Sequence, residues 1–106
     1  MRRGSTPTNT FITDIDLSLA TVFISYEQKG QVIIEKTGDD LTFAPGEEQG
    51  TYTITIELSQ ADTLKFQPGT VLIQIRYVFP DGSADASNII QTSAERIIKD
   101  GEIEYV

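Results

Sequence analysis

Apolar and polar residues alternate with period two along much of this chain, the pattern of a β-strand with one buried face. The longest such run follows Pro68-Gly69. It sets Val71, Ile73, Ile75, Tyr77 and Phe79 on one side and Leu72, Gln74, Arg76 and Val78 on the other. The cleanest is Thr51 to Leu58, where Tyr52, Ile54, Ile56 and Leu58 alternate with Thr51, Thr53, Thr55 and Glu57. A third run begins at Thr21 and sets Val22, Ile24 and Tyr26 against Phe23 and Ser25. Lys29-Gly30 then reverses the chain into Gln31-Val-Ile-Ile-Glu-Lys, which reads as the return arm of a hairpin. These runs predict a shared core of Val22, Ile24, Ile54, Ile56, Ile73 and Ile75.

Shorter elements fill the gaps. Phe11, Ile12 and Ile15 lie in a threonine-rich first strand, and Leu17-Ser-Leu-Ala is a connection whose leucines dip into the core. Thr37-Gly-Asp-Asp is a turn, Leu41-Thr-Phe a short strand, and Pro45 to Gly50 a polar loop. Ser59 with Asp62 three residues on has the form of a capping box, so one short helical turn is expected near 59–66, ended by Pro68. Pro80-Asp-Gly-Ser makes a second reversal. From Ala84 to Ile98 the pattern is less regular. Ala94 to Lys99 tolerates helix, but the β-branched Ile89, Ile90, Ile97 and Ile98 and the missing caps favour strand. Six or seven strands punctuated by turns predict an all-β, immunoglobulin-like antiparallel sandwich at residues 9–98, between a flexible basic arm at 1–8 and a C-terminal interaction segment at 99–106.

Composition narrows the chemistry more than it adds to it. The 106 residues include no cysteine and no histidine, which removes thiolate chemistry and the commonest general base and metal ligand. A net charge of −8 repels phosphate backbones and anionic lipid heads, so neither nucleic acid nor membrane is an expected partner. Met1-Arg-Arg-Gly-Ser-Thr-Pro has basic residues with no apolar stretch behind them and does not read as a signal peptide. No nucleophile–base pair, phosphate loop or nucleophile elbow occurs, so no catalytic residue, metal ligand or cofactor is assigned and no enzyme is expected. Asp14/Asp16, Asp39/Asp40 and Glu47/Glu48 read as solvated turn and edge charges. Tyr26, Tyr52 and Tyr77 fall on inward positions and read as core. Arg76 stands outward, with Glu57 its expected cross-strand partner.

The candidate site is a surface for protein–protein contact. Arg2 and Arg3 offer charge at one end. At the other, Glu102-Ile-Glu-Tyr-Val places Ile103 and Tyr105 on one side of a short amphipathic β-pattern that ends at Val106. A segment so short is not stable alone. It either adds to a sheet edge of its own domain or augments a sheet in a neighbouring subunit.

Three stretches carry a family resemblance. They are the hairpin Asp16-Leu-Ser-Leu-Ala-Thr-Val-Phe-Ile-Ser-Tyr-Glu-Gln-Lys-Gly, the centre from Ile54 through Ser59-Gln-Ala-Asp to Pro68-Gly and Arg76, and the ending Pro80-Asp-Gly-Ser with Ile97-Ile-Lys-Asp-Gly-Glu-Ile. Together, from about Pro7 to Ile103, the chain resembles the immunoglobulin-like N-terminal domain of phage baseplate upper proteins and short stand-alone phage proteins of the same build. The long helical extension of the baseplate proteins has no counterpart here. The resemblance implies a structural protein of the virion, in tail, baseplate or head surface. It would contact other phage structural proteins in many copies, as a homo-oligomer or larger assembly, and pass through the host cytoplasm during assembly. A carbohydrate- or cell-surface-binding module is the alternative, and a hydrolase a third.

Overall fold

The alternating runs form strands where period two places them, and the computed structural model describes residues 1–105. The strands are β1 (Thr8–Thr13), β2 (Thr21–Gln28), β3 (Gln31–Thr37), β4 (Leu41–Pro45), β5 (Tyr52–Glu57), β6 (Gly69–Val78), β7 (Ala84–Ala86) and β8 (Ile90–Ala94). A single helical turn, α1 (Gln60–Leu64), joins β5 to β6, and a 3₁₀ turn spans Gly38–Asp40. One sheet has the order β1-β5-β4. The other has β3-β2-β6, with β7 and β8 both paired to β6. With the first strand of the immunoglobulin order absent, these sheets occupy the places of B-E-D and C′-C-F-G, so the fold is an immunoglobulin-like sandwich.

The inward faces meet as the alternation requires. Val22, Ile24 and Tyr26 of β2 and Val71, Ile73 and Ile75 of β6 are buried against Phe11, Ile54 and Ile56 of the opposite sheet. Burial of each large aliphatic side chain contributes about 1.5–3 kcal/mol before chain entropy is subtracted. Tyr26 carries a hydroxyl into this core and has a partner there: Asn9 Nδ2 donates to it at 2.7 Å. Burial raises the Tyr26 pKa, only partly offset by that Asn9 bond. Leu17 is buried, whereas Leu19 in the same connection points to solvent.

The hairpin turn uses left-handed backbone at both central residues, Lys29 at φ 51° and Gly30 at φ 79°, which matches the twist of β2 and β3. The Ser59 capping box also forms: its hydroxyl accepts from Asp62 N at 3.1 Å, and Asp62 Oδ2 accepts from Ser59 N at 3.0 Å.

Two departures matter for the surface. The run expected as one strand from Ala84 to Ile98 is β7 and β8, separated by a bulge, and its strand character stops at Glu95. Arg76 pairs with Ala86 and Ile73 with Ile90, so the second strand carries one residue more than β6 across that gap. Ser87 fills the break. Its N–H donates to Ile75 O at 2.8 Å, its hydroxyl accepts from Ile75 N at 3.0 Å, and its carbonyl accepts from Gln74 Nε2 at 2.9 Å. The second departure concerns Arg76. Glu57 belongs to the other sheet, and the cross-strand neighbours of Arg76 are Phe23 and Ala86.

Candidate interaction surface

Both candidate segments converge on α1. A one-turn helix leaves its last carbonyls without intrahelical donors, and these must be satisfied from elsewhere. Arg3 supplies the donors: Nε donates to Phe66 O at 2.6 Å and Nη2 to Leu64 O at 3.1 Å. Its Nη1 reaches Asp100 Oδ1 at 3.3 Å, which ties the C-terminal segment to the same guanidinium. The planar fork of arginine suits this task, since one group serves three acceptors in fixed directions. Arg3, placed by the sequence in a flexible arm, has only 13% of its side chain exposed.

The neighbouring residues are held as well. Arg2 forms a parallel bridge with Glu95: Glu95 N donates to Met1 O at 2.8 Å, and Arg3 N donates to Glu95 O at 3.0 Å. The terminal ammonium of Met1 donates to Ser93 O at 2.7 Å. The Arg2 guanidinium lies 3.5 Å from the Glu95 carboxylate, both largely exposed. Residues 1–3 thus cover the end of the β8 edge, which would otherwise present unpaired main-chain groups. Buried Thr63 completes the lashing by donating to Ser5 O at 2.8 Å.

On the other side of α1 the Gln60 carboxamide reads the backbone of Ile103. Its Nε2 donates to Ile103 O at 3.0 Å and its Oε1 accepts from Ile103 N at 2.9 Å, the pair of bonds a neighbouring strand would make. Residues 99–105 belong to neither sheet. Its apolar side chains face away from the domain: Ile98 is 93% exposed, Ile103 60% and Tyr105 fully. Val106, the last residue assigned to this surface from sequence, lies outside the described residues.

Asp62 connects α1 to the sheet. The Lys36 ammonium lies 3.0 Å from Asp62 Oδ2, with both side chains mostly buried. Burial alone would raise the Asp62 carboxyl. The Ser59 N–H, the Lys36 ammonium and the Ser59 hydroxyl together outweigh it and hold the pKa below 3.8.

No known protein family, characterised protein or solved structure matches this chain. Among the described residues, no three acidic side chains converge as metal ligands would. A depression of about 580 Å³ is lined by residues of both sheets, with Asp14, Asp85, Asn88 and Tyr77 on its walls.

A second exposed surface went unread in the sequence. The outer face of the five-stranded sheet carries Phe23 and Val78 at one end and Leu72 at the other. Two bulges add to it. At Tyr26/Glu27 the register with β3 shifts, which places Val32 opposite the outward Glu27 and leaves it 57% exposed. The β7–β8 bulge delivers Ile89, 61% exposed, to the same depression as Val32 and Leu72. The signal was present: Val32-Ile33-Ile34 and Ile89-Ile90 are consecutive apolar residues, and a period-two strand cannot bury them all on one side.

Proposed function

We propose that this domain is a non-enzymatic structural protein of a phage or phage-derived particle, acting through protein–protein contacts in many copies. The observation that supports this reading is where the chain places its apolar residues outside the core. Among the described residues, Ile98, Ile103 and Tyr105 project from a stretch hydrogen-bonded to the domain through Asp100 and the Ile103 backbone. Contiguous exposed apolar surface marks contact sites, and three large exposed apolar residues fall within eight positions of one another here. The partner, another structural protein of the particle, would pack on Ile103 and Tyr105. Arg2 and Arg3 would act indirectly, by presenting the segment rather than touching the partner. The protein would reside in the virion after assembly in the host cytoplasm. Proteomics of purified particles from the source genome tests this: stoichiometric recovery is expected, and consistent absence from particles would refute it.

The alternative, a glycan-binding module, has one observation in its favour. The depression lined by Tyr77, Asp14, Asp85 and Asn88 offers an aromatic residue beside hydroxyl-binding groups. Saturable binding of one sugar class on a glycan array, lost in Asp85→Ala, would select this reading.

A further inference from the structure

We infer that the outer face of the five-stranded sheet is a self-association surface that takes a second copy of this chain, face to face. This deepens the multi-copy role proposed above by naming the surface and its occupant.

The face has the composition of an interface rather than of a solvated sheet. The whole chain is strongly acidic at −8, yet the outward positions of β2, β3 and β6 carry only two acids, Glu27 and Glu35, and one base, Arg76; Glu35 accepts from the Ser25 hydroxyl at 3.2 Å. Between them the register sets Phe23 opposite Arg76, Ser25 opposite Gln74 and Glu27 opposite Leu72. Charge-poor centres with aromatic and arginine residues distinguish contact surfaces from the rest of a protein. Bulges commonly re-aim side chains, and the two here both enlarge the apolar part, through Val32 and Ile89.

Charge complementarity selects a second copy as the occupant. Arg76 and Glu27 have no ion-pair partner among the described residues. They stand on adjacent antiparallel strands, separated along the face by the Ser25–Gln74 row. A two-fold axis lying between two such faces, and running nearly across the strands, lays Arg76 of each copy on Glu27 of the other. The contact is isologous, so the pair forms twice, and the strands of the two sheets remain close to aligned. Phe23 and Val32 then meet across the same axis, while the two Glu35 carboxylates, in line with the Ser25–Gln74 row, face each other on it and offset part of the gain from the two ion pairs.

The size of the face sets the strength. Four ladder spacings by about six residues give a footprint of roughly 20 Å by 20 Å per copy. At about 800 Å² in total that lies below the size of a standard specific interface, so the pair should be weak in dilute solution and populated at the high local concentrations of a particle.

Sedimentation equilibrium of the full chain tests this, from about 10 μM to about 1 mM. A reversible dimer is expected, with Arg76→Glu and Glu27→Arg each weakening it at least tenfold. The double swap, Arg76→Glu with Glu27→Arg, should restore it to within about threefold of the original. Thermal melts of each variant check folding, and Arg76→Ala serves if the charge reversal unfolds the chain. A monomer throughout the range, a dimer indifferent to both variants, or no recovery in the double swap overturns the inference. Particle proteomics is independent of all these results. A monomer found in particles would refute this surface alone, and a charge-swappable dimer absent from particles would refute only the phage role.

Discussion

Replacing Arg3 by alanine should destabilise the domain far more than its place beside the chain terminus implies. The change strands Leu64 O and Phe66 O, which the guanidinium satisfies at 3.1 and 2.6 Å in a partly buried setting. A bond from a charged donor is worth about 1.5–3 kcal/mol when buried. Water can reach these carbonyls once the side chain is gone, so each loss is discounted to about 1–2 kcal/mol, about 2–4 kcal/mol together. The Asp100 contact adds little, because that carboxylate is largely exposed. At about 4 °C per kcal/mol for a domain of this size, the melting temperature should fall by about 8–16 °C. Differential scanning calorimetry of Arg3→Ala, Arg3→Lys, Arg2→Ala and Asp100→Asn separates the contributions. Lysine keeps the charge but loses the fork and should lie between wild type and Arg3→Ala. Arg2→Ala and Asp100→Asn should each shift the transition by less than about 3 °C. A loss below about 1 kcal/mol for Arg3→Ala, or one matched by Asp100→Asn, would refute the argument that the carbonyl contacts matter.

Three further outcomes follow from the same geometry. Ile73→Ala should cost on the order of 2–5 kcal/mol in urea unfolding, through lost burial and a residual cavity, and a change under about 1 kcal/mol would displace Ile73 from the core. The depressed Asp62 carboxyl means the unfolded chain binds its proton more readily, so its stabilisation is present above pH 3.8 and is lost as pH falls through the lower folded value. Asp62→Asn should therefore lower stability at pH 7 and flatten the acid limb of the stability profile, and an unchanged limb would contradict it. Deleting residues 100–106 should lower the melting temperature of the monomer by only a few degrees, since the exposed Gln60–Ile103 and Arg3–Asp100 bonds are each worth about 0.5–1 kcal/mol or less, while particle incorporation is lost. A collapse of the monomer would assign the segment to the fold itself.

What the sequence made legible was governed by local rules. Period-two alternation located the buried faces of β2, β5 and β6, and Ser59 with Asp62 located α1, because each depends on residues a few positions apart. What it hid depended on contacts between distant residues. Nothing near Arg3 in sequence indicates that its acceptors are at 64, 66 and 100, so a basic stretch looked like an arm. Ile103 was legible as half of a β-pattern, but its main-chain partner is a side-chain carboxamide rather than a strand. The bulges at Val32 and Ile89 broke the very alternation used to orient the strands, so the outer face of the larger sheet escaped notice.

The pairing of residues 1–3 with β8 also has a consequence for how the chain reaches this structure. Met1 bonds to Ser93 across a separation of 92 residues, and Glu95 closes the bridge. On the ribosome residues 1–3 have no native partner until β8 has been translated. β2 and β3 can zip locally as soon as their hairpin clears the tunnel, but the edge beside β8 must wait. Closure of that edge is thus a late event in a slow, high-contact-order class of folding. Until then the outer edge of β8 is open to strands of other nascent copies, and crowded synthesis, rather than the finished protein, is where mispairing has its opportunity.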